Sequence, residues 1–103
     1  MMLVSIDSIP GKDFEPLGMV KGTIVQSKNF GRDFMASLKT LVGGEIAGYT
    51  EMLNDARNIA IGRMVSEATA IGADAIVNVR FATASVMAGS AEIIAYGTAV
   101  KFK

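Results

Sequence analysis

Four charged residues stand at helical spacings where chemistry would need them. Arg63 and Glu67 lie four apart, so one turn of helix makes them neighbours. Both fall, with Glu45, inside the arc formed by Ile46, Tyr49, Met52, Leu53, Ala56, Ile59, Ala60, Met64 and Ile71. An isolated buried ion costs several kcal/mol even after relaxation, so charges inside an apolar stripe must be paired. Arg63 and Glu67 are therefore expected to form a buried polar contact, within a subunit or across an interface. The alternative is that they line a polar pocket for a small ligand. Glu51 and Asp55 sit one turn apart on the opposite face, beside Gly48, Asn54, Asn58, Gly62 and Ser66. Two carboxylates begin a hard-cation site but fall well short of the roughly six oxygens calcium needs, so a solvated face is the favoured reading. Arg57 edges the apolar arc, where its stem packs and its head takes a rim salt bridge or an anion. Tyr49 and Tyr96 could donate protons or stack on a ligand, and an amphipathic aromatic at an interface explains each equally well.

The residue types that are missing narrow the chemistry further. The chain has no Cys and no His. That removes disulfides, thiolate nucleophiles, iron–sulfur clusters, Cys-built zinc sites and the commonest general base and metal ligand. No Ser lies in G-x-S-x-G, and the glycines at 43, 44 and 72 make neither G-x-G-x-x-G nor a phosphate loop. Seven Met residues offer thioethers to a soft metal, but they are not clustered at ligand spacing, and core filling explains them better. Ten Lys and Arg balance ten Asp and Glu, which excludes bulk electrostatic binding to nucleic acid or anionic membrane.

The elements that would position these residues follow from the order of the chain. At 103 residues it is one domain, 1–103, with room for one core and two layers. Leu3 to Ile6 is a short apolar run, Pro10-Gly11 breaks it, and Leu17 to Val25 resumes as a strand with glycines at 18 and 22. Asp33 to Val42 reads as a short helix, ended by Gly43-Gly44. About Glu45 to Ile71 is the longest helical pattern, stopped by Gly72. Asp74 to Phe81 and Ile93 to Val100 read as strands joined in a hairpin around Ala88-Gly89-Ser90. The result is a β-α-β-β order in a two-layer α+β domain, with an antiparallel three-stranded sheet under one long helix. No apolar run spans a bilayer, and the N-terminus lacks a signal peptide's basic start, so a cytoplasmic protein is expected. Half the residues are hydrophobic and 19% charged, which is apolar for so small a domain and points to a subunit contact.

Gly43-Gly44-Glu45-Ile46, Tyr49-Thr50, Leu53, Ala56-Arg57, Ala60, Arg63-Met64, Ala68, Gly72-Ala73-Asp74-Ala75-Ile76-Val77, Arg80-Phe81, Glu92-Ile93 and Ala95-Tyr96-Gly97-Thr98-Ala99-Val100 follow one another in the order of a known family. With Leu17-Gly18 and Gly22, this pattern resembles the YbjQ family across nearly the whole chain. The resemblance implies a dodecin-like subunit and a ring-shaped homopentamer in which extra short strands aid assembly. It implies no activity. Glu45, Tyr49, Arg57, Arg63, Asp74, Arg80, Glu92 and Tyr96 match its motif and become candidates, with Glu67, for assembly or a ligand pocket.

Family members often carry a heavy-metal-binding label, which a chain without Cys or His fits poorly. Any metal is expected to be a hard divalent ion held weakly by carboxylates such as Glu51 and Asp55. The sequence thus favours an oligomeric binding or structural module of unknown ligand, its partners being copies of itself and a small molecule or metal ion. The competing reading is an enzyme with an intersubunit site of carboxylates, Arg and Tyr.

Overall fold

The computed structural model describes residues 1–26, 47–87 and 90–103. These form strands β1 (Met2–Leu3) and β2 (Phe14–Gln26), helix α1 (Ala47–Ala70), and strands β3 (Ala75–Met87) and β4 (Ser90–Phe102). The expected helix at 33–42 and residue Glu45 lie outside the described residues. The four strands make one sheet in the order β1-β3-β4-β2. β4 pairs antiparallel with both β2 and β3, as expected. The sheet is mixed rather than wholly antiparallel, because β1 joins as a fourth strand, parallel to β3, with Met2 opposite Ala75. A two-residue strand leaves no periodicity to read, and its partner lies more than 70 residues away.

Helix α1 covers one face of the sheet over β2 and β4. Ala56, Ala60, Met64 and Ala68 are fully buried against Val20, Ile76, Ile93, Ala95 and Ala99. Small residues at four-residue intervals let the helix descend closely onto the strands. It meets them most closely at Gly22, where an added Cβ would strike the Ala60 carbonyl oxygen and the Met64 nitrogen. The buried stripe is rotated from the expected arc toward Arg57, Ile61 and Val65, all half-buried. Ile59 and Ile71, expected inside, are 43% and 48% exposed. The helix carries apolar residues on more than one face, so periodicity alone did not fix which face meets the sheet.

The helix ends at Gly72, whose φ of 79° only glycine adopts freely. The Gly72 and Ala73 amides donate to the Thr69 and Ala68 carbonyls at 3.0 Å, satisfying carbonyls the last turn leaves without partners. Lys101 closes this corner, donating to the Gly72 carbonyl at 3.2 Å and lying 3.6 Å from the Asp74 carboxylate. Asp74 also accepts the Phe102 amide at 2.8 Å.

Among the described residues, the second face of the sheet is covered at one end. There the N-terminal segment folds back so that Ile9 joins Ala75, Val77 and Val100 in a smaller core, flanked by Val4, Phe14 and Phe102. The Val4 amide donates to the Ile76 carbonyl, and the Asn78 and Val79 amides donate to Ile6 and Val4, all near 3.0 Å. At this place β3 bulges, with Asn78 and Val79 facing the single residue Gly97 between the pairs Val77–Thr98 and Arg80–Tyr96. Asn78 takes a positive φ of 54°, a conformation Asn tolerates better than most residues. Gly97 makes room for the bulge, since a Cβ there would lie 2.7 Å from Ile76 Cγ2 and 2.9 Å from the Val77 carbonyl oxygen. Among the described residues no helix is long and apolar enough to cross a membrane.

Candidate functional site

Strand register places Tyr96, Arg80 and Glu92 on the second face, on a stretch that no other described element covers. Residues directly opposite in an antiparallel pair point to the same side, and Tyr96 of β4 lies opposite Arg80 on one side and Lys21 on the other. The row reads Lys21, Tyr96, Arg80 across three strands. At about 4.8 Å per strand spacing, the two cations flank the tyrosine with about 10 Å between their backbones. Tyr96 is half-buried, while Lys21 and Arg80 are exposed. The next row toward the N-terminal segment holds Met19, Thr98 and Val77, and the next row outward holds Thr23, Ile94 and Ala82. Glu92, half-buried, lies on this face two rows out, opposite Val25 and Ala84.

The bulge fixes where Arg80 stands. Arg80 Nη1 donates to the Ser5 carbonyl at 2.6 Å and to the Val79 carbonyl at 3.0 Å. Both acceptors are neutral, so the guanidinium charge is positioned without being cancelled. The ion pair among the described residues joins Lys101 to Asp74, at the far end of β4, and involves neither Lys21 nor Arg80.

The helix candidates do not converge on this row. Arg63 is exposed, and its Nη1 donates to the Thr23 carbonyl at 2.6 Å, latching α1 to the outer strand. Glu67 is exposed and forms no ion pair with Arg63. Within the subunit the expected buried Arg63–Glu67 contact is thus replaced by an arginine-to-backbone latch, because the rotated stripe carries both residues out of the core. Arg57 is half-buried and donates to Asn54 Oδ1 at 2.7 Å. The Tyr49 backbone lies in the opening turn of α1. Glu51 and Asp55 are both exposed on the helix face turned from the sheet.

Lys21 escaped the sequence reading. It sits within Met19-Val20-Lys21-Gly22-Thr23, whose alternation marks it as outward-facing, but only the register to β4 sets it beside Tyr96.

The donor set was tested against a bound heavy metal. No three carboxylates converge among the described residues. Met64, the most enclosed thioether, is packed in the apolar core and Met19 is 73% exposed. Soft metals take thiolate and imidazole, which this chain lacks. These residues do not fit a tight soft-metal centre.

A two-layer α+β domain with a long four-stranded mixed sheet under one long helix is the class that the fold defines. The chain belongs to the YbjQ family, described as "Putative heavy-metal-binding", which it matches over residues 1–103. It is 57% identical over 101 residues to a UPF0145 protein of Clostridium novyi, covering 98% of each chain. With a UPF0145 protein of Thermosipho africanus it shares 58% identity over 104 residues, covering 100% of this chain and 96% of the relative. The fold is similar to the crystal structure of a DUF74-family protein of unknown function from Pediococcus pentosaceus. The TM-score is 0.69 at 13% identity, over 100% of this chain and 98% of that one.

Proposed function

We propose that the chain is the subunit of a homopentameric ring that holds a small ligand and has no catalytic machinery of its own. The observation that carries this reading is the amount of sheet that the described residues leave exposed. β2, β3 and β4 are each 13 residues long, about 43 Å, yet α1 packs mainly over β2 and β4 and reaches β3 at Ile76. On the helix side of β3, Phe81 remains 46% exposed, and on the second face Met19 and Val25 are 73% and 54% exposed.

Two further features agree with assembly. The chain measures 54 × 26 × 16 Å with a radius of gyration of 16.7 Å, against about 13 Å for a compact domain of this length. β2 is an outer strand, and β1 shields only the start of β3, leaving the edge from Arg80 to Met87 without a strand beside it among the described residues. Long free edges invite pairing with another chain, and a head-to-tail contact between two different edges forms a ring where the rotation between neighbours closes.

Native mass spectrometry of the protein purified from its own host tests the reading. It is expected to report five copies of the 10.8 kDa chain together with the mass of any retained small molecule. A monomer, or a two-fold dimer joined through one self-complementary surface, contradicts it.

A further inference from the structure

We propose that Lys21, Tyr96 and Arg80 form a binding site for an oxyanion, the phosphate or carboxylate group of a small molecule. The inference rests on the reading of the chain as a ligand-binding module and gives that module its site and ligand class. By register, two cationic residues stand on either side of one tyrosine across three adjacent strands. The acidic residues nearest by register and sequence, Glu92 and Asp7, pair with neither of them. Arg80 donates Nη1 to two backbone carbonyls, which anchors the guanidinium at the β3 edge beside Ser5. A guanidinium held in this way presents a planar fork suited to phosphate or carboxylate, and an ammonium opposite adds a mobile point charge.

Edge protection accounts for only part of the row. Lysine on an outer strand commonly guards against aggregation, and β2 is an outer strand. That role needs no arginine at the matching position on the far side of Tyr96. Nor does it need Arg80 anchored beside a bulge whose Asn78 holds a positive φ. Backbone strain of this kind persists where the surrounding contacts fix it, and here those contacts set the guanidinium's position. Tyr96, half-buried between the cations, supplies a hydroxyl that donates to the same anion.

Titration of the whole protein with inorganic pyrophosphate and, separately, with citrate tests the site and distinguishes phosphate from carboxylate. Calorimetry gives the affinity, and NMR reports which amides move. Saturable binding is expected with at least one of the two, with shifts centred on residues 20–22, 79–81 and 95–97. Lys21→Ala is expected to weaken it about tenfold, the loss of one charge-assisted hydrogen bond. Tyr96→Phe should weaken it several-fold, and Lys103→Ala should leave it unchanged. Because Arg80 also ties down Ser5, Lys21→Ala is the decisive variant, as its exposed side chain can be lost without loosening the fold.

The proposal is overturned if neither anion binds at about 10 mM, or if Lys21→Ala binds as tightly as the unaltered protein. A pentamer that ignores both anions removes the site and leaves the assembly standing. A monomer that binds pyrophosphate through Lys21 keeps the site and removes the assembly.

Discussion

Gly22 sits where α1 comes closest to the sheet, and its missing side chain is what permits the contact. A methyl group there meets the Ala60 and Met64 backbone, which cannot swing aside as a flexible side chain would. Gly22→Ala is therefore expected to destabilise the protein by at least the 1–3 kcal/mol typical of overpacking, about, as read from chemical denaturation. Met64 has no exposed surface, and Met64→Ala should cost about 2–5 kcal/mol in the same measurement. Arg63 and Glu67 behave differently, being exposed and unpaired with each other. In a double-mutant cycle, Arg63→Ala and Glu67→Ala should add to within about 0.5 kcal/mol. A larger coupling would show that the two residues meet across an interface. Sequence reading identified Arg80 and Tyr96 as candidates but could not join them to Lys21. The row exists only through pairings of strands that are 59 and 75 residues apart between Lys21 and its two partners, counted along the chain.

At the scale of elements, what local chemistry dictates was legible. The long helix and its stop at Gly72, the strand through Gly22 and the β3–β4 hairpin all follow from periodicity, glycine and β-branched residues. The hairpin arms run further than expected because Ala82 to Met87 alternates small residues with Thr and Ser, a weak apolar signal that pairing with β4 converts into strand. Strand β1 and the bulge at Asn78 were not legible, since both depend on the N-terminal segment docking from far along the chain. The helix face was legible in Ala56, Ala60 and Met64, which are buried as expected, while Ile59 and Ile71 fall outside the stripe and Ala68 completes it. The bulge yields its own test. Asn78→Gly should preserve or slightly raise stability, whereas Asn78→Val should lower it by about 1–2 kcal/mol, since a β-branched residue resists positive φ. Equal stability of the two variants in urea would show that the left-handed backbone is not held in solution.

For the whole molecule, the chain is long and thin, and among the described residues α1 covers part of one face. Among the described residues, apolar side chains are left outside on both layers, Phe81 and Ile59 on the helix side and Met19 and Val25 on the other, and the proposed assembly would cover them. If β3 meets a neighbour near Phe81, then Phe81→Asp should shift the protein toward smaller species in size-exclusion chromatography while leaving its far-ultraviolet dichroism unchanged. Sedimentation equilibrium of the unaltered protein, carried through a dilution series into the micromolar range, tests the central claim most directly. The assembly predicts a mass near five times 10.8 kDa that persists on dilution. A mass of 10.8 kDa at every concentration would contradict it.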